Sequence, residues 1–345
     1  MSGIKKTVSL LLIAVMMVCI VAGCESGRTQ VRNDKIKIGV SVYDQYDTFI
    51  SQLITCLQDN VDPEEAEMVI YNASQSQQTQ NSQVKKMIED ECDVICVNLV
   101  DRTDPTFVID AARKNDVPII FFNRELVEGD LSRWNKLFYV GADAIQSGKL
   151  EGEIAATTCL TDKTIDRNGD GAIQYVVLEG EAGHQDAIVR TEYSVDTLIS
   201  AGIEVDKVGY AIANWNRAQA QTKMAQFIEQ NDDDIEVVLS NNDDMALGAI
   251  DAYEASGMKK SDWPAIFGID GTDVGLEAVR DDKMIGTVYN DKEGQSRAVY
   301  RLAVTIAKGG SIEDLSDEFV ITDGRYIRLD YEKVTAANIN KYIKR

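Results

Sequence analysis

The chain has 345 residues, of which 35 are lysine or arginine and 57 are aspartate or glutamate, for a formal net charge of −22 at pH 7. This length is enough for two domains of ordinary size. So acidic a surface disfavours nucleic acid and anionic lipid as partners, because both carry dense negative charge.

Residues 1–23 have the character of a signal peptide. An apolar run follows Lys5 and Lys6, and it is too short and wrongly flanked for a comfortable membrane-spanning helix. The run ends in Val-Ala-Gly before Cys24, a pattern that resembles the lipobox of bacterial lipoproteins. The resemblance implies cleavage before Cys24 and attachment of lipid to it; a plain secretory signal with an incidental cysteine is the alternative.

Residues 24–34 are polar and are typical of a flexible tether. The mature chain would keep 322 residues and lose two lysines and no acid, which takes the net charge from −22 to −24. We therefore expect an extracytoplasmic protein that is held to the cell membrane by its lipid and not by a basic face.

From residue 36 onward, short apolar runs alternate with amphipathic stretches, which predicts strands alternating with helices. The first set of predicted strands is Ile36–Tyr43, Met68–Tyr71, Val94–Leu99, Ile119–Phe122 and Leu137–Val140. The second set is Ile173–Leu178, Glu204–Ala211, Val237–Ser240, Ala265–Gly268 and Gly286–Tyr289. Such alternation predicts parallel sheets covered by helices on both faces and joined by right-handed crossovers.

The two sets of strands echo one another. Residues 94–98 and 237–241 are both apolar runs that end in asparagine, and each is followed by a shorter strand with a polar tip, at Asn123 and at Asp270. Two similar α/β lobes with polar strand ends predict a cleft between lobes. The sequence contains no dinucleotide fingerprint, phosphate-binding P-loop, nucleophile elbow or basic cluster with interleaved aromatics.

Residues 180–193 bring three polar side chains to one corner of the second lobe. A predicted strand ends just before this stretch and a helix begins within it, so His184 and Asp186 fall at a strand-to-helix turn. Arg190 lies four residues beyond Asp186, on the same helix face. Ligands of open α/β sheets bind at such turns. An imidazole, a carboxylate and a guanidinium together suit a small neutral molecule covered with hydroxyl groups.

Taken together, these motifs resemble the periplasmic-type glucose/galactose-binding proteins, which are the receptors of ATP-driven sugar importers. The resemblance runs from about Lys35 to the C-terminus, and its motifs are residues 43–49, 121–123, 183–190, 214–216, 240–243, 268–270 and 288–291. It implies that one hexose is bound by ten residues: Asp47, Phe49, Asn123, His184, Asp186, Arg190, Trp215, Asn242, Asp270 and Asn290.

These residue types suit a pyranose, which has apolar C–H faces and a rim of hydroxyls. Phe49 and Trp215, one from each lobe, are suited to cover the two faces. The charged groups would add hydrogen bonds worth about 1.5–3 kcal/mol net each, against about 1 kcal/mol for neutral pairs. We hypothesise that Asp47 reads the hydroxyl whose orientation separates glucose from galactose, because a carboxylate with two oxygens can accept from either position.

Residues 166–174 match the first nine positions of an EF-hand-like calcium loop, with side-chain oxygens at positions 1, 3 and 5 and glycine at position 6. Position 12 is Val177, which cannot ligate, so a true EF-hand is excluded. In the resembled family a distant glutamate closes the loop. The resemblance implies a structural Ca²⁺ held by Asp166, Asn168, Asp170, Ala172, Gln174 and Glu236; an acidic surface turn is the alternative.

The resemblance also implies the architecture, two doubly wound parallel-sheet α/β lobes joined by a three-segment hinge, as in periplasmic binding proteins of type I. The N-terminal lobe would comprise residues 35–142 and 291–326, and the C-terminal lobe residues 143–290 and 327–345. Hinge closure would enclose galactose or glucose and present the closed form to an ABC permease. No enzymatic activity is expected. We expect a monomer, and the resemblance leaves open a chemotaxis receptor as a further partner.

Three other functions compete with this interpretation. The ligand of the same cleft could be a different monosaccharide. A glycosidase would need two carboxyls at a defined separation. The many donors and asparagines are better suited to form hydrogen bonds with all the hydroxyl groups of one sugar. A sugar-responsive repressor would need a helix-turn-helix before the first strand, where this chain has a signal sequence.

The four remaining cysteines fall inside helix or strand patterns, and we expect them to be small buried apolar residues: Cys56, Cys92, Cys96 and Cys159. A zinc site is disfavoured because the chain has one histidine and no second cysteine pair with zinc spacing. A disulfide cannot be assigned from the spacing.

Overall fold

The structure is a computed structural model that describes residues 35–231 and 234–343. The predicted signal peptide 1–23, the tether 24–34 and the lipid-bearing Cys24 lie outside the described residues, as do residues 344–345 of the predicted C-terminal lobe. Within the described ranges, strands alternate with helices along the chain, as the hydrophobic pattern predicts.

The strands are β1 (Ile36–Val42), β2 (Ala66–Asn72), β3 (Val94–Val97), β4 (Ile119–Phe122), β5 (Leu137–Ala142), β6 (Ala172–Glu179), β7 (Glu204–Ile212), β8 (Val237–Ser240), β9 (Ala265–Asp270), β10 (Gly286–Asn290), β11 (Ile321–Thr322), β12 (Tyr326–Leu329) and β13 (Tyr331–Thr335). The helices are α1 (Thr48–Asn60), α2 (Gln77–Glu89), α3 (Thr106–Asn115), α4 (Ala144–Thr161), α5 (Gln185–Ser200), α6 (Arg217–Asn231), α7 (Asp243–Ser256), α8 (Asp273–Arg280) and α9 (Lys292–Ala307). Short 3₁₀ helices span Asp130–Arg133, Lys260–Asp262, Ile312–Leu315 and Ile339–Lys341.

These strands form two sheets, one in each lobe. The first has the order β11-β12-β5-β4-β3-β1-β2, and the second has the order β13-β10-β9-β8-β6-β7. Strand β11 pairs antiparallel with β12, and β13 pairs antiparallel with β10, whereas the other neighbours run parallel. Two α/β lobes with mainly parallel sheets confirm the predicted fold class.

The central strands of each sheet are buried on both faces, which explains why β3, β4 and β8 are continuous apolar runs and not alternating patterns. The edge strands β2 and β7 are partly exposed and contain charged residues. In β3, Val94 and Cys96 face the core under α1 and α9, whereas Ile95 and Val97 face the core under α2 and α3. All four residues of this strand are fully buried. Each fully buried aliphatic side chain contributes roughly 1.5–3 kcal/mol to folding. The first sheet packs in two of the hydrophobic clusters and the second sheet in two others, so each lobe has its own core.

The cysteines differ from one another in burial. Cys92, Cys96 and Cys159 are buried, as expected, whereas Cys56 is only partly buried. Burial raises the pKa of the Cys92 thiol, and that of Cys159, to about 11, so both are protonated at neutral pH and act as apolar residues.

The chain passes between the lobes at three points, between β5 and α4, between β10 and α9, and between β12 and β13. The third crossing differs in detail from the sequence-based boundary after residue 326. Tyr326–Leu329 pairs with Tyr139–Ala142 of the first sheet, so the N-terminal lobe extends to Leu329. Tyr331 then pairs with Asn290 in the second sheet, which leaves Asp330 as the only residue between the two strands.

Candidate functional site

Residues from both lobes meet at the carboxyl ends of the strands. In the first lobe, Asp47 is the N-cap of α1: one carboxylate oxygen accepts a hydrogen bond from the backbone N–H of Ile50 (2.8 Å), and the other accepts from the hydroxyl of Tyr43 (2.7 Å). Phe49, in the first turn of the same helix, is 5% exposed and packs with the core of its lobe. The turn after β1 therefore fixes a carboxylate and a phenyl ring at the cleft.

Asn123 follows β4 in the left-handed backbone region, with φ of 61°, a conformation that asparagine tolerates better than most residues. Its side-chain oxygen accepts a hydrogen bond from the amide of Asn98 (3.0 Å), and its carbonyl accepts from the hydroxyl of Tyr139 (2.8 Å). Buried Asn98, at the end of β3, also accepts from the backbone N–H of Tyr43 (3.2 Å). The adjacent strand ends thus hold Asn123 in one orientation.

In the second lobe, His184 is the N-cap of α5. Its Nδ1 accepts a hydrogen bond from the backbone N–H of Asp186 (3.1 Å). The imidazole meets the indole of Trp215 edge-on, with ring centroids 5.4 Å apart. Because Nδ1 accepts, the neutral ring carries its proton on Nε2, which remains available as a donor.

Arg190 is fixed from several sides. Its Nε donates to the hydroxyl of Ser147 (3.2 Å), and its guanidinium donates to the carbonyl of Asn241 (2.7 Å) and to the hydroxyl of Tyr331 (3.1 Å). It also lies 3.4 Å from the carboxylate of Asp270 at the end of β9. The guanidinium is therefore held in place by contacts from α4, β13 and two strand ends.

Trp215 follows β7 in the left-handed backbone region, with φ of 60°. Its indole packs over Gly180, where an added Cβ would lie 2.2 Å from the ring, so only glycine permits this approach. Asn242 is the N-cap of α7, accepting from the backbone N–H of Met245 (2.9 Å), and its amide donates to the carbonyl of Trp215 (3.4 Å). The caps and turns of this lobe thus direct their side chains to the same place.

One cavity between the lobes is lined by nine of the ten predicted residues. They are Asp47, Phe49, Asn123, His184, Asp186, Arg190, Trp215, Asn242 and Asp270. The cavity measures about 40 Å³, well below the ~300–1,000 Å³ of typical small-molecule sites. A ligand the size of a sugar would therefore require the lobes to move apart.

The tenth predicted residue, Asn290, lies outside this lining. It is buried at the end of β10, where it pairs with Tyr331 of β13 and accepts a hydrogen bond from the side chain of Gln295. In this structure Asn290 is part of the second crossing between the lobes.

Three lining residues were not predicted: Tyr43, Ile50 and Arg124. The guanidinium of Arg124 stacks 3.6 Å above the ring of Tyr43 and is nearly fully buried. Arg124 was not predicted because a single arginine at a strand end is usually solvated. Its position directly after Asn123 was the only feature of the sequence that pointed to the cavity.

Burial sets the protonation of this site. Desolvation, reinforced by the positive charges of Arg124 and Arg190, holds the pKa of His184 well below its usual value, so the imidazole is neutral. Desolvation raises the pKa of Asp270 well above its usual range, and Arg190 opposes that rise. The same two effects act on Asp186, whose pKa is raised.

Hydrogen bonds join the two lobes across the cleft. Thr48 at the start of α1 donates to Asp244 (2.6 Å), the side chain of Gln52 accepts from the backbone N–H of Asp273 (3.3 Å), and Arg124 pairs with Glu181 (3.0 Å). These contacts come from residues that surround the cavity. The lobes are therefore closed on each other in this structure.

The sequence of this two-lobe protein matches a known protein family. Residues 38–311 match the family described as "Periplasmic binding protein domain". The chain belongs to this family. Members are binding proteins, so this periplasmic binding protein is not an enzyme.

Several known relatives cover most of the chain. It is 33% identical over 315 residues to a D-galactose/methyl-galactoside binding periplasmic protein of Haemophilus influenzae, covering 89% of this chain and 92% of the relative. It is 29% identical over 290 residues to a xylitol-binding protein of Mycolicibacterium smegmatis, covering 84% and 77%. A Bacillus halodurans solute binding protein solved with myo-inositol superposes with a TM-score of 0.75 and 27% identity, covering 91% of this chain and 99% of that one.

Away from the cleft, the structure brings together the residues of the predicted calcium loop of this periplasmic binding protein. Asp170 Oδ2 accepts hydrogen bonds from the amides of Asn168 (3.1 Å) and Gln174 (3.0 Å). The carboxylate of Asp166 accepts from the backbone N–H groups of Gly169 (2.7 Å) and Gly171 (3.1 Å). The loop runs directly into β6, as expected for a loop that is not part of an EF-hand.

The distant Glu236 also reaches this loop. One of its carboxylate oxygens accepts from the backbone N–H of Arg167 (2.5 Å) and the other from that of Gln174 (3.1 Å). In residues 35–231 and 234–343 there is no group of three or more His, Cys, Asp or Glu side chains that could hold a metal ion. The loop instead mixes carboxylate, amide and carbonyl oxygens, the hard donors that Ca²⁺ prefers, so its donor chemistry fits that ion.

In the same ranges, no helix is long and apolar enough to cross a membrane.

Proposed function

We propose that this periplasmic binding protein is the sugar receptor of an ABC importer and that its ligand is a hexose, galactose or glucose. The observation that carries the proposal is the cavity between the lobes, whose lining includes nine of the ten predicted polar and aromatic side chains. The galactose-binding relative supports the choice of hexose. Relatives and solved neighbours named for xylitol and myo-inositol support another monosaccharide or a polyol as the second candidate.

The lining has the donors, acceptors and apolar surfaces that a pyranose needs. Phe49 and Trp215 come from opposite lobes and offer ring surface to the C–H faces of a sugar. The guanidinium of Arg190 and Nε2 of the neutral His184 are donors, and the carboxylates are acceptors. Charge-assisted hydrogen bonds of this kind are roughly twice as strong as neutral ones, which suits tight binding of an uncharged ligand.

Transport would use the hinge. A sugar enters the small cavity only after the contacts between the lobes break, and its bonds to both lobes then favour closure. The closed form, with surfaces of both lobes side by side, would be the form that the permease recognises. A chemotaxis receptor would be a second protein that recognises the same closed form.

The test is calorimetric titration of the purified protein with galactose, glucose, allose, ribose, xylitol and myo-inositol. We expect galactose or glucose to bind at least tenfold more tightly than the others, a difference of about 1.4 kcal/mol. If allose, ribose or a polyol binds best, the second candidate replaces the first. Absence of heat with all six would refute the sugar-receptor proposal.

We further propose that Cys24 carries lipid and tethers the protein to the membrane outside the cytoplasm. The proposal rests on the small residues before Cys24 and on the acidic mature chain, which offers anionic lipid no attraction. Phase partition of protein from cells that express the wild-type chain or Cys24→Ala tests it. The proposal fails if both forms partition alike.

We also propose that the loop from Asp166 to Gln174 and the carboxylate of Glu236 hold a structural Ca²⁺ ion. Asp166, Asn168, Asp170 and Gln174 would supply side-chain oxygens, Ala172 its carbonyl, and Glu236 two oxygens from a neighbouring strand. The ion would tie the loop to the start of β8 and neutralise repulsion among three carboxylates.

A further inference from the structure

A second cavity adjoins the inner one, and we name it the mouth cavity. It measures about 390 Å³, which lies within the ~300–1,000 Å³ range of small-molecule sites. The two cavities share three lining residues, Tyr43, Arg124 and Trp215. A ligand in the inner cavity therefore has a second, larger space next to it.

The mouth cavity lies away from the hinge. Strands β2 and β7 are the outermost strands of their sheets, at the edge opposite the hinge strands β12 and β13. The turns after β2 and β7 supply lining residues from the two lobes, Gln75 from the first and residues 214–216 from the second. A chemical group in this position is clear of the segments that must rotate during closure.

The two turns that face each other have the same backbone conformation. Ser74 and Gln75 have φ of 50° and 60°, and Asn214 and Trp215 have φ of 52° and 60°. Consecutive left-handed residues other than glycine are uncommon and costly. The same strained conformation occurs at the equivalent turn of each lobe. The two turns therefore line the mouth cavity from opposite sides with similar backbone geometry.

The hydrogen bonds of the turns match as well. The buried alanine before each left-handed pair donates its backbone N–H to the preceding strand end, from Ala73 to Val42 (2.8 Å) and from Ala213 to Glu179 (2.8 Å). In the first lobe the second left-handed position carries the amide of Gln75, and in the second lobe it carries the indole of Trp215.

The lining offers amides and rings, the combination that the inner cavity also uses. Gln75 donates one amide hydrogen to Asp44 (2.7 Å), and Gln219 on α6 accepts one from Asn214 (2.8 Å). Since each amide has two N–H groups and an oxygen with two lone pairs, both keep hydrogen-bonding capacity for a ligand. The rings of Tyr43 and Trp215 provide apolar surface between the two cavities.

Arg124 borders both cavities and pairs with a residue of the other lobe. Its guanidinium donates to the carbonyl of Val100 (2.9 Å) and pairs with Glu181 (3.0 Å), whose side chain is about half exposed. Arg124 lines both cavities, whereas Glu181 lines only the mouth cavity. The exposed Glu181 can turn towards solvent, which would open a path between the cavities, while the buried guanidinium of Arg124 keeps its bond to the carbonyl of Val100.

We propose that the ligands of this protein include disaccharides, with one hexose in the inner cavity and the second ring in the mouth cavity between Gln75 and Gln219. The proposal rests on the proposed hexose-binding function. It extends the ligand class from single sugars to sugars that carry a second polar ring.

The test is calorimetric titration with galactose, glucose, lactose, melibiose, maltose and cellobiose, which attach a second ring at different positions. The wild-type protein is compared with Gln219→Phe, which puts a bulky ring into the mouth cavity, and with Gln226→Phe, which puts the same ring on an exposed position of the same helix. We expect at least one disaccharide to bind the wild type, and Gln219→Phe to weaken it about tenfold or more by steric overlap. Hexose affinity should stay unchanged in both variants.

Each outcome decides the question. Hexose binding without binding of any of the four disaccharides overturns the proposal and leaves the hexose function intact. Disaccharide binding that Gln219→Phe leaves unchanged also overturns it, because the second ring would then lie elsewhere. If neither hexoses nor disaccharides bind, the underlying function fails as well. Unchanged disaccharide binding in Gln226→Phe excludes a general effect of phenylalanine on α6.

Discussion

The guanidinium of Arg190 lies 3.4 Å from the carboxylate of Asp270, and both side chains are buried. Burial of each charge alone would be costly. Burial alone would lower the pKa of the Arg190 guanidinium. The nearby Tyr331, Asp270 and Asp186 have the larger combined effect and raise this pKa, so Arg190 stays charged. Each partner therefore makes the burial of the other tolerable, and the pair is part of both the fold and the site.

Replacing Arg190 by methionine should destabilise the protein even without a ligand. Asp270 would then lose the cation that offsets its burial, and breaking a buried pair by removing one partner costs roughly 3–5 kcal/mol. Urea unfolding measures the loss, and the double variant Arg190→Met with Asp270→Asn should recover part of it. The matched control is Arg217→Met, which breaks the more exposed pair with Asp251 and should cost no more than about 1 kcal/mol. Equal losses in both variants would contradict the role given to the buried pair.

The neutral His184 predicts a pH dependence in the acid range. Its folded pKa is held well below 6.5 by burial and neighbouring arginines, so the unfolded chain takes up a proton before the folded one does. The contribution of His184 to stability should therefore fall as pH drops below about 6.5, by about 1.4 kcal/mol at pH 5.5.

The control for this prediction is His184→Asn, which keeps an acceptor for the N-cap of α5 but does not titrate. The difference in unfolding free energy between the two proteins should be constant above pH 7 and should shift in favour of the variant below it. Because the chain has a single histidine, its imidazole NMR signal gives an independent readout. A midpoint near 6.5 in the folded protein would refute the prediction.

Much of this architecture was predictable because its signals are local. Strands buried on both faces appear as apolar runs, and the turns after them carry the polar residues that line the cavity. The contacts of Arg190 with Ser147 and Tyr331 were not predictable, because they join residues 43 and 141 positions apart. Strand β12 was not among the predicted strands for a similar reason: it has four residues and is defined by its pairing with the distant β5.

Glu151 on α4 should make stability depend on pH in the opposite direction. One carboxylate oxygen accepts from the backbone N–H of Ser240 (3.1 Å), and the other has no hydrogen-bond partner in the described ranges. Burial raises the pKa of Glu151 from 4.5 to about 8. The folded protein therefore retains this proton while the unfolded chain loses it, so this contribution to stability is complete below about pH 4.5 and is lost as pH rises to about 8.

Glu151→Gln removes this titration and keeps an acceptor for Ser240. We expect the two proteins to unfold at similar urea concentrations at pH 5, and the variant to be more stable by roughly 2 kcal/mol or more at pH 9. Urea unfolding at pH 5, 7 and 9 measures the divergence. Parallel pH profiles would contradict the buried, protonated state of Glu151.

Asp47 has two roles that substitution can separate. Its carboxylate caps α1 and accepts from the hydroxyl of Tyr43, and we hypothesise that it also reads the hydroxyl that distinguishes glucose from galactose. Asp47→Asn keeps a capping oxygen, whereas Asp47→Ala removes it and should cost about 1 kcal/mol of stability. We expect Asn at this position to leave stability within about 0.5 kcal/mol and to weaken both sugars by tenfold or more through loss of a charged acceptor. Unchanged calorimetric affinity for both sugars in Asp47→Asn would remove Asp47 from the site.

Removal of calcium should lower the thermal stability of the protein if the loop at residues 166–174 binds the ion as proposed. A ligand at a hundred times its dissociation constant stabilises the folded state by about 2.7 kcal/mol, so adding Ca²⁺ to chelated protein should raise its melting temperature by several degrees. Asp170→Asn keeps a side-chain oxygen but removes one of the charges that attract the ion, so the rise should shrink. Asp196→Asn removes an exposed carboxylate on α5 and should behave as the wild type does. The proposed site fails if chelated wild-type protein gives neither heat nor a change in melting temperature with Ca²⁺, and a response that Asp170→Asn keeps in full would place the ion elsewhere.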